Sequence, residues 1–181
     1  DEVGNYSQYG NHVVLIDTTP PNIPNPSTNT PTNNNLPTWN WESIQDAVEY
    51  EITLDNVFHG SQSTTSFTSS KLIDGLHTIK VRAKDSVGNT SDYGTHTILI
   101  DTTAPAVPSP TTTTPTSNPR PIWTWAESDE DFEYGIVLDN KPEVVQTLNA
   151  YNSSVDLTDG EHELKVRVKD EVGNWSEYGT H

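Results

Sequence analysis

The sequence predicts an all-β protein of tandem seven-strand β-sandwiches set end to end, and three observations lead there. A twelve-residue motif recurs at a nearly fixed spacing: "DEVGNYSQYGNH" from Asp1, "DSVGNTSDYGTH" from Asp85 and "DEVGNWSEYGTH" from Asp170, 84 and 85 residues apart. Between these motifs, short segments alternate apolar and polar side chains with period two, the mark of a strand with one wet face. No stretch carries sustained helical periodicity, and Gly, Asn, Asp and Pro turns punctuate the chain.

The repetition extends beyond the motif. "IDTTPPNIPNPSTNTPTNNNLPTWNW" from Ile16 matches "IDTTAPAVPSPTTTTPTSNPRPIWTW" from Ile100, "EYEITLDN" at Glu49 matches "EYGIVLDN" at Glu133, and "DGLHTIKVRAKD" at Asp74 matches "DGEHELKVRVKD" at Asp159. Self-similarity at this period divides the chain into three parts. Residues 1–16 are the final loop and strand of a preceding repeat, 17–100 are one whole repeat, and 101–181 are a repeat short of its last strand.

Within the whole repeat the elements follow in order. The Pro-rich stretch comes first and reads as a loose edge strand with polyproline character, because proline donates no ladder hydrogen bond. Pro37–Trp41 is the second strand, with Trp39 and Trp41 on one face. In Val48–Asp55, Tyr50, Ile52 and Leu54 alternate with Glu49, Glu51 and Thr53. A further strand lies near Phe67. His77–Asp85 alternates Ile79, Val81 and Ala83 with Lys80, Arg82 and Lys84, and Thr95–Ile100 closes the unit. The lone His59, beside Gly60, reads as a turn.

Composition narrows the functions. The 181 residues include no Cys, no Met, 13 Pro, 10 Gly and 9 basic against 26 acidic side chains, a formal charge of −17. Without Cys there is neither a disulfide framework nor thiolate chemistry. The negative charge repels nucleic acid and anionic membrane surfaces, and makes a cation the natural partner. No apolar run approaches the roughly 20 residues of a membrane span, and no basic-then-apolar leader precedes Asp1. The expectation is a soluble chain taken from a longer one.

No catalytic constellation emerges. His12, His96 and His181 recur within the motif and His77 and His162 recur before the sixth strand, which marks them as scaffold. No second His stands at metal spacing and no glycine loop cradles phosphate. The paired Trp39, Trp41, Trp123 and Trp125 could stack on sugar rings, but both members of each pair face the same way and are assigned to the core. Tyr9, Tyr93 and Tyr178 recur at one position, as packing residues do. Trp175 is not required by the fold, since Tyr6 and Thr90 hold its place elsewhere; it is free to cover a joint or a ligand.

The combination of "DTTAP" at a repeat start, "TWNW" and "TWTW" in the second strand, "DGxHxxxVxxxD" and "VGNxS" resembles the bacterial Ig-like repeats of large secreted surface adhesins, including type I-secreted ones, with fibronectin type III-like features. The resemblance spans both repeats almost end to end. It implies Ig-like sandwiches used as stalks that project a terminal binding domain, Ca²⁺ at the domain junctions, and a place on the bacterial cell surface or outside the cell. In the fibronectin comparison His77 and His162 stand where a corner tyrosine would be, which puts the corner hydrogen bond in question.

An Ig-like topology brings the "DEVGN" loop beside its own repeat's first residues. Asp170 and Asn174 then face Asp101, Asp85 and Asn89 face Asp17, and Asp74 arrives at the Asp101 junction from the preceding repeat. "ESDEDFE" adds Glu127, Asp129, Glu130 and Asp131 at that pole. Gathered carboxylates repel unless neutralised, and Ca²⁺, with six to eight oxygen ligands, tolerates irregular cages. The bland alternative is that Asp-x-x-Gly-Asn builds a loop without metal, with Gly and Asn accepting positive φ and Asp bonding nearby amides.

The function expected is a non-enzymatic spacer of a bacterial surface adhesin, stiffened by Ca²⁺ at its junctions. A carbohydrate- or protein-binding accessory module of a secreted enzyme is the alternative. The expected partners are neighbouring Ig-like repeats, without nucleic acid or membrane insertion. Asn11–Ile16 is an orphan apolar strand, and an orphan strand seeks an edge. It could complete, head to tail, the sandwich ending at His181 of another molecule and give a filament.

Overall fold

A computed structural model describes residues 2–6, 8–127 and 133–181. Among these residues there are twelve strands and no helix, hence no helix long and apolar enough to cross a membrane. The strands are β1 (Thr38–Asn40), β2 (Ala47–Leu54), β3 (Val57–Gln62), β4 (Ser66–Thr68), β5 (Gly75–Asp85), β6 (Gly94–Ile100), β7 (Ile122–Thr124), β8 (Glu133–Leu138), β9 (Val144–Gln146), β10 (Ala150–Asn152), β11 (Leu164–Lys169) and β12 (Gly179–Thr180).

The two sets of six fold alike. In the first, β3-β2-β5-β6 form one sheet and β1-β4 the other; in the second, β9-β8-β11-β12 and β7-β10 repeat that order. The seventh place belongs to the Pro-rich stretch, which makes only isolated bridges. Ser27 pairs with Asn40 and Thr32 pairs in parallel with Ile100, so the stretch touches first one sheet and then the other. Its prolines forbid a longer ladder.

By Cα proximity the chain forms two compact units. One comprises Asp1–Ser27, Trp39–Phe67 and Thr78–His96; the other comprises Thr28–Thr38, Thr68–His77 and Thr97–His181. In the first unit β2 hairpins into β3 through Asp55 and Asn56, both at positive φ (50° and 65°), the conformation of a turn whose twist matches its strands. β2 then pairs with β5 from Ala47↔Asp85 to Leu54↔Ile79. In the second unit β8 pairs with β11 from Tyr134↔Val168 to Leu138↔Leu164, and Asp139 and Asn140 repeat the positive-φ turn.

Alternation translates into burial. Trp123, Trp125, Tyr134, Ile136, Leu138, Leu164, Val166 and Val168 form one core cluster, with Tyr151 and Leu157 against it. Trp125 meets Tyr134 edge-on at 5.2 Å between ring centroids. Trp39 and Trp41 are buried as well, so all four paired tryptophans are core residues and none offers a sugar platform.

Two expectations need correction. His59 lies within β3 and not in a turn; Gly60, at φ 103°, sits where the pairing of β2 with β3 shifts register between Ile52 and Thr53. A bulge accounts for the glycine that suggested a turn. Asn11–Ile16 is not in a strand, and Val13, Val14, Leu15 and Ile16 are exposed.

The indole N–H groups of all four core tryptophans are buried without a hydrogen-bond partner. Truncating Trp123 to Ala is therefore expected to cost roughly 3–5 kcal/mol through the cavity it leaves. Trp123→Phe should cost clearly less, because it removes an unsatisfied donor along with part of the packing. Urea unfolding of the two variants checks this; equal losses would contradict it.

Candidate functional site: the Asp-Gly-Asn loops and the Asp101 joint

Each recurring motif begins at the end of a long strand, β5 or β11, where the chain must reverse toward the next strand. A carboxylate inside the loop organises the reversal. Asp170 Oδ1 accepts the backbone N–H groups of Val172 (3.0 Å), Gly173 (2.8 Å) and Asn174 (2.8 Å), while Oδ2 accepts the Asn174 side-chain amide at 2.8 Å. Asp85 repeats this with Val87, Gly88 and Asn89. The glycine is required for its conformation, φ 100° at Gly88 and 98° at Gly173. Both aspartates are buried, and Ser91 and Ser176 seal the loops by accepting the N–H of Ala83 and Val168.

Burial pushes the Asp85 carboxyl up, but the Asn89 amide and the three loop N–H groups outweigh it, and Asp85 titrates below its ordinary value of 3.8.

The asparagine carries the loop's second function. Asn174 Nδ2 donates to the carbonyl of Asp101 at 3.0 Å and to that of Thr103 at 3.3 Å; Asn89 Nδ2 donates to the carbonyl of Asp17 at 3.2 Å. The structure thus joins Asp85, Asn89 and Asp17 in one unit and Asp170, Asn174 and Asp101 in the other, as the topology argument anticipates. Asp74 reaches the same 101–103 segment. Its Oδ1 accepts Thr102 N–H (3.0 Å) and Thr102 Oγ1–H (2.7 Å), and its Oδ2 accepts Thr103 Oγ1–H (2.6 Å). The Thr103 hydroxyl first, then that of Thr102, hold the Asp74 carboxyl below its ordinary value of 3.8. Asp101 and Asp17 turn their own Oδ1 onto the N–H of Thr103 and Thr19, at 3.0 Å each.

Residues 101–103 are therefore gripped from two sides, by Asp74 and by Asn174. Thr102 and Thr103 were missed as site residues, although "DTT" recurs at 17–19 and 101–103 and was the available signal.

As placed, this donor set does not make a calcium cage. The oxygens of Asp85 and Asp170 accept N–H groups, Asn174 presents its NH₂ to the carbonyls of Asp101 and Thr103, and among the described residues no three His, Cys, Asp or Glu gather to hold a metal. Of the added acids, Glu127 is exposed, and Asp129, Glu130 and Asp131 lie outside the described residues.

Trp175 packs on its own sheet, with the Arg167 guanidinium 4.2 Å and the Lys169 ammonium 5.3 Å from its ring centre. The corner hydrogen bond is made by histidine: a His77 ring nitrogen bonds the Ile73 carbonyl and one of His162 bonds that of Thr158, each at 2.8 Å.

Two outcomes follow from these contacts. Asp74→Ala should let the Thr102 amide exchange about tenfold faster with solvent, while Thr103 N–H, held by Asp101, changes little; hydrogen exchange read by NMR compares them. Asp85, whose carboxyl is depressed, contributes stability in full above pH 3.8 and loses it as pH falls through its lower folded value. Asp85→Asn should therefore flatten the acid limb of the melting curve, and an unchanged limb would contradict the assignment.

Residues 25–102 match the family model of the bacterial Ig-like domain. No curated protein matches the chain. Among solved structures, it is similar to fibronectin(III)-like modules of CbhA from Clostridium thermocellum, at 16% identity and a TM-score of 0.48 over 79% of this chain and 81% of that one. It is also similar to the central fibronectin-III array of RIM-binding protein, at 18% identity and a TM-score of 0.36 over 91% and 69% of the two chains. A third similarity is to chitinase ChiA74 from Bacillus thuringiensis, at 21% identity and a TM-score of 0.44 over 92% of this chain but only 29% of that one, so the chain spans under a third of the chitinase. With its strand order and this family match, the chain is an all-β protein of Ig-like, fibronectin III-like fold, whose residues 25–102 match the bacterial Ig-like domain.

Proposed function

We propose that the chain is a non-catalytic spacer from a bacterial surface or secreted adhesin, in which hydrogen bonds lock each repeat's first residues. The grip of Asp74 and Asn174 on residues 101–103 carries this reading. A polar joint leaves relative motion as the default unless something ties it. Here the ties are charge-assisted or amide hydrogen bonds made by residues that recur with the repeat, and a recurring joint is what an extended array needs. The acidic, cysteine-free composition and the bacterial Ig-like match of residues 25–102 support the setting outside the cell. The accessory sugar-binding alternative finds less support, since the paired tryptophans are buried and Trp175 is stacked on Arg167.

Stiffening by Ca²⁺ at Asp17, Asp74, Asp85, Asn89, Asp101, Asp170 and Asn174 is the competing account of the same joint. Thermal unfolding in EGTA, in millimolar Ca²⁺ and in millimolar Mg²⁺ separates the two. With hydrogen-bonded loops the midpoints should agree to within about 2 °C, as no cage is saturated on binding. A calcium-specific rise of roughly 5 °C or more would return these residues to the ion. For the spacer role itself, Asp170→Ala should cost about 2–3 kcal/mol in EGTA, because three backbone donors lose their acceptor.

A further inference from the structure

We propose that the segment His12–Thr19 is a docking strand, and that its receptor is the open groove beside β12 in a second copy of this chain. The template lies within the molecule. Residues 97–103 of the first repeat align with 13–19, and the structure shows what holds them. Leu99 N–H donates to Thr30 Oγ1 (2.9 Å), Thr32 N–H to the Leu99 carbonyl (3.0 Å) and Asp101 N–H to the Thr32 carbonyl (3.0 Å). Thr102 and Thr103 then fasten to Asp74. Ile98 and Ile100, at 0% and 1% exposed, fill the core side of that strand.

In the second repeat the equivalent receptor is assembled but open. A groove of about 1200 Å³ is lined by Thr114, Thr116, Trp123, Leu157, Asp159 and His181. These are the counterparts of Thr30, Thr32, Trp39, Leu72, Asp74 and His96 in the repeat alignment. β12 runs two residues where β6 runs seven, and it already pairs with β11 through Thr180↔Lys165 and Gly179↔Val166. His181 bonds Leu164 in both directions, which leaves the strand aimed along the sheet.

The occupant is equally specified. Val14 and Ile16 stand at the places of Ile98 and Ile100 but are 67% and 79% exposed. Seated in the partner, they would be buried, and Leu15, Asp17 and Thr116 would repeat the backbone ladder. Thr18 and Thr19 would close on the exposed carboxylate of Asp159 as Thr102 and Thr103 close on Asp74. Strand addition supplies the affinity through main-chain hydrogen bonds and the two apolar pockets set the register. Because donor and receptor are different surfaces, the contact is heterologous and propagates head to tail.

Size-exclusion chromatography with light scattering on the 181-residue chain tests this, in 0.3 M NaCl to screen the repulsion between copies of charge −17. The mass should rise above the 20.0 kDa of one chain as concentration increases. The double variant Val14→Asp, Ile16→Asp should stay monomeric with unchanged melting, since both side chains are exposed in the single chain. Appending Thr-Ile-Leu-Ile-Asp after His181 should also give a monomer, one whose own groove is filled and whose melting is raised. A single 20.0 kDa species up to about 500 µM, or oligomers that survive the double variant, would overturn the proposal. Neither result bears on the hydrogen-bonded joint, which hydrogen exchange at Thr102 tests separately.

Discussion

The carboxylate of Asp170, turned into its own loop, is the contact on which the joint depends. Three successive amide N–H groups converge on one oxygen, which is possible only because Gly173 adopts a positive φ and lets the chain curl around the acid. The second oxygen then takes one hydrogen of the Asn174 amide and leaves its NH₂ group directed at the carbonyls of Asp101 and Thr103. The ionised form is the right one for this task, since an anion accepts shorter and stronger bonds than a neutral group. Fixing the loop and fixing the next segment are therefore one event. A loop closed by glycine flexibility alone would have left Asn174 free to wander.

The outer face of the four-stranded sheets shows how two repeats solve one electrostatic problem differently. In the first, Glu51 on β2 lies across from Arg82 on β5, with N···O at 2.6 Å. In the second, Gly135 stands where Glu51 would be, and Glu143 reaches into the vacated space to hold Arg167 through two bonds of 2.7 Å. A Cβ at Gly135 would strike that carboxylate, so the glycine and the glutamate form a matched pair. The Arg167 fork holds Glu143 below its usual carboxylate range, the Tyr178 hydroxyl adds a third bond at 2.7 Å, and Trp175 caps the guanidinium. Pairs this exposed contribute at most about 1 kcal/mol each, so their service is orientation more than stability. They also occupy the basic residues of a chain with few of them, and the surplus negative charge keeps copies soluble.

What the sequence revealed and what it hid have physical reasons. β2, β5, β8 and β11 were legible because one face of each is buried and alternation is then enforced at every second residue. β3 and β9 were not, because they lie at sheet edges with exposed Val57, Phe58, Val144 and Val145, and nothing demands a pattern there. The juxtaposition of Asn174 with Asp101 followed from topology. The grip of Asp74 on Thr102 and Thr103 did not, because it depends on where a turn and a strand end meet across 28 residues of sequence. Nor can composition distinguish an aspartate that ligates a cation from one that accepts N–H groups. Both use the same two oxygens, and only the neighbours decide.

The glycine of the recurring "YG" pair shows why the Pro-rich stretch, though barely a strand, is placed as firmly as the sheets. A Cβ at Gly94 would run into the carbonyl oxygen of Pro24, and a Cβ at Gly179 into that of Pro108. Each glycine admits the backbone of the stretch at a distance that no side chain permits, directly beside the strand that leads to the joint. Proline then supplies a preset φ and no competing N–H, so the stretch reaches the 101–103 side of the fold with little entropy left to lose. Gly10, the third member of the series, meets nothing within 4 Å, and the apolar residues that follow it are exposed. The same residue type is thus constrained where the Pro-rich backbone lies against it and unconstrained where it does not. The recurring motif defines a socket as much as a loop, and order in the strand that follows depends on the socket being filled.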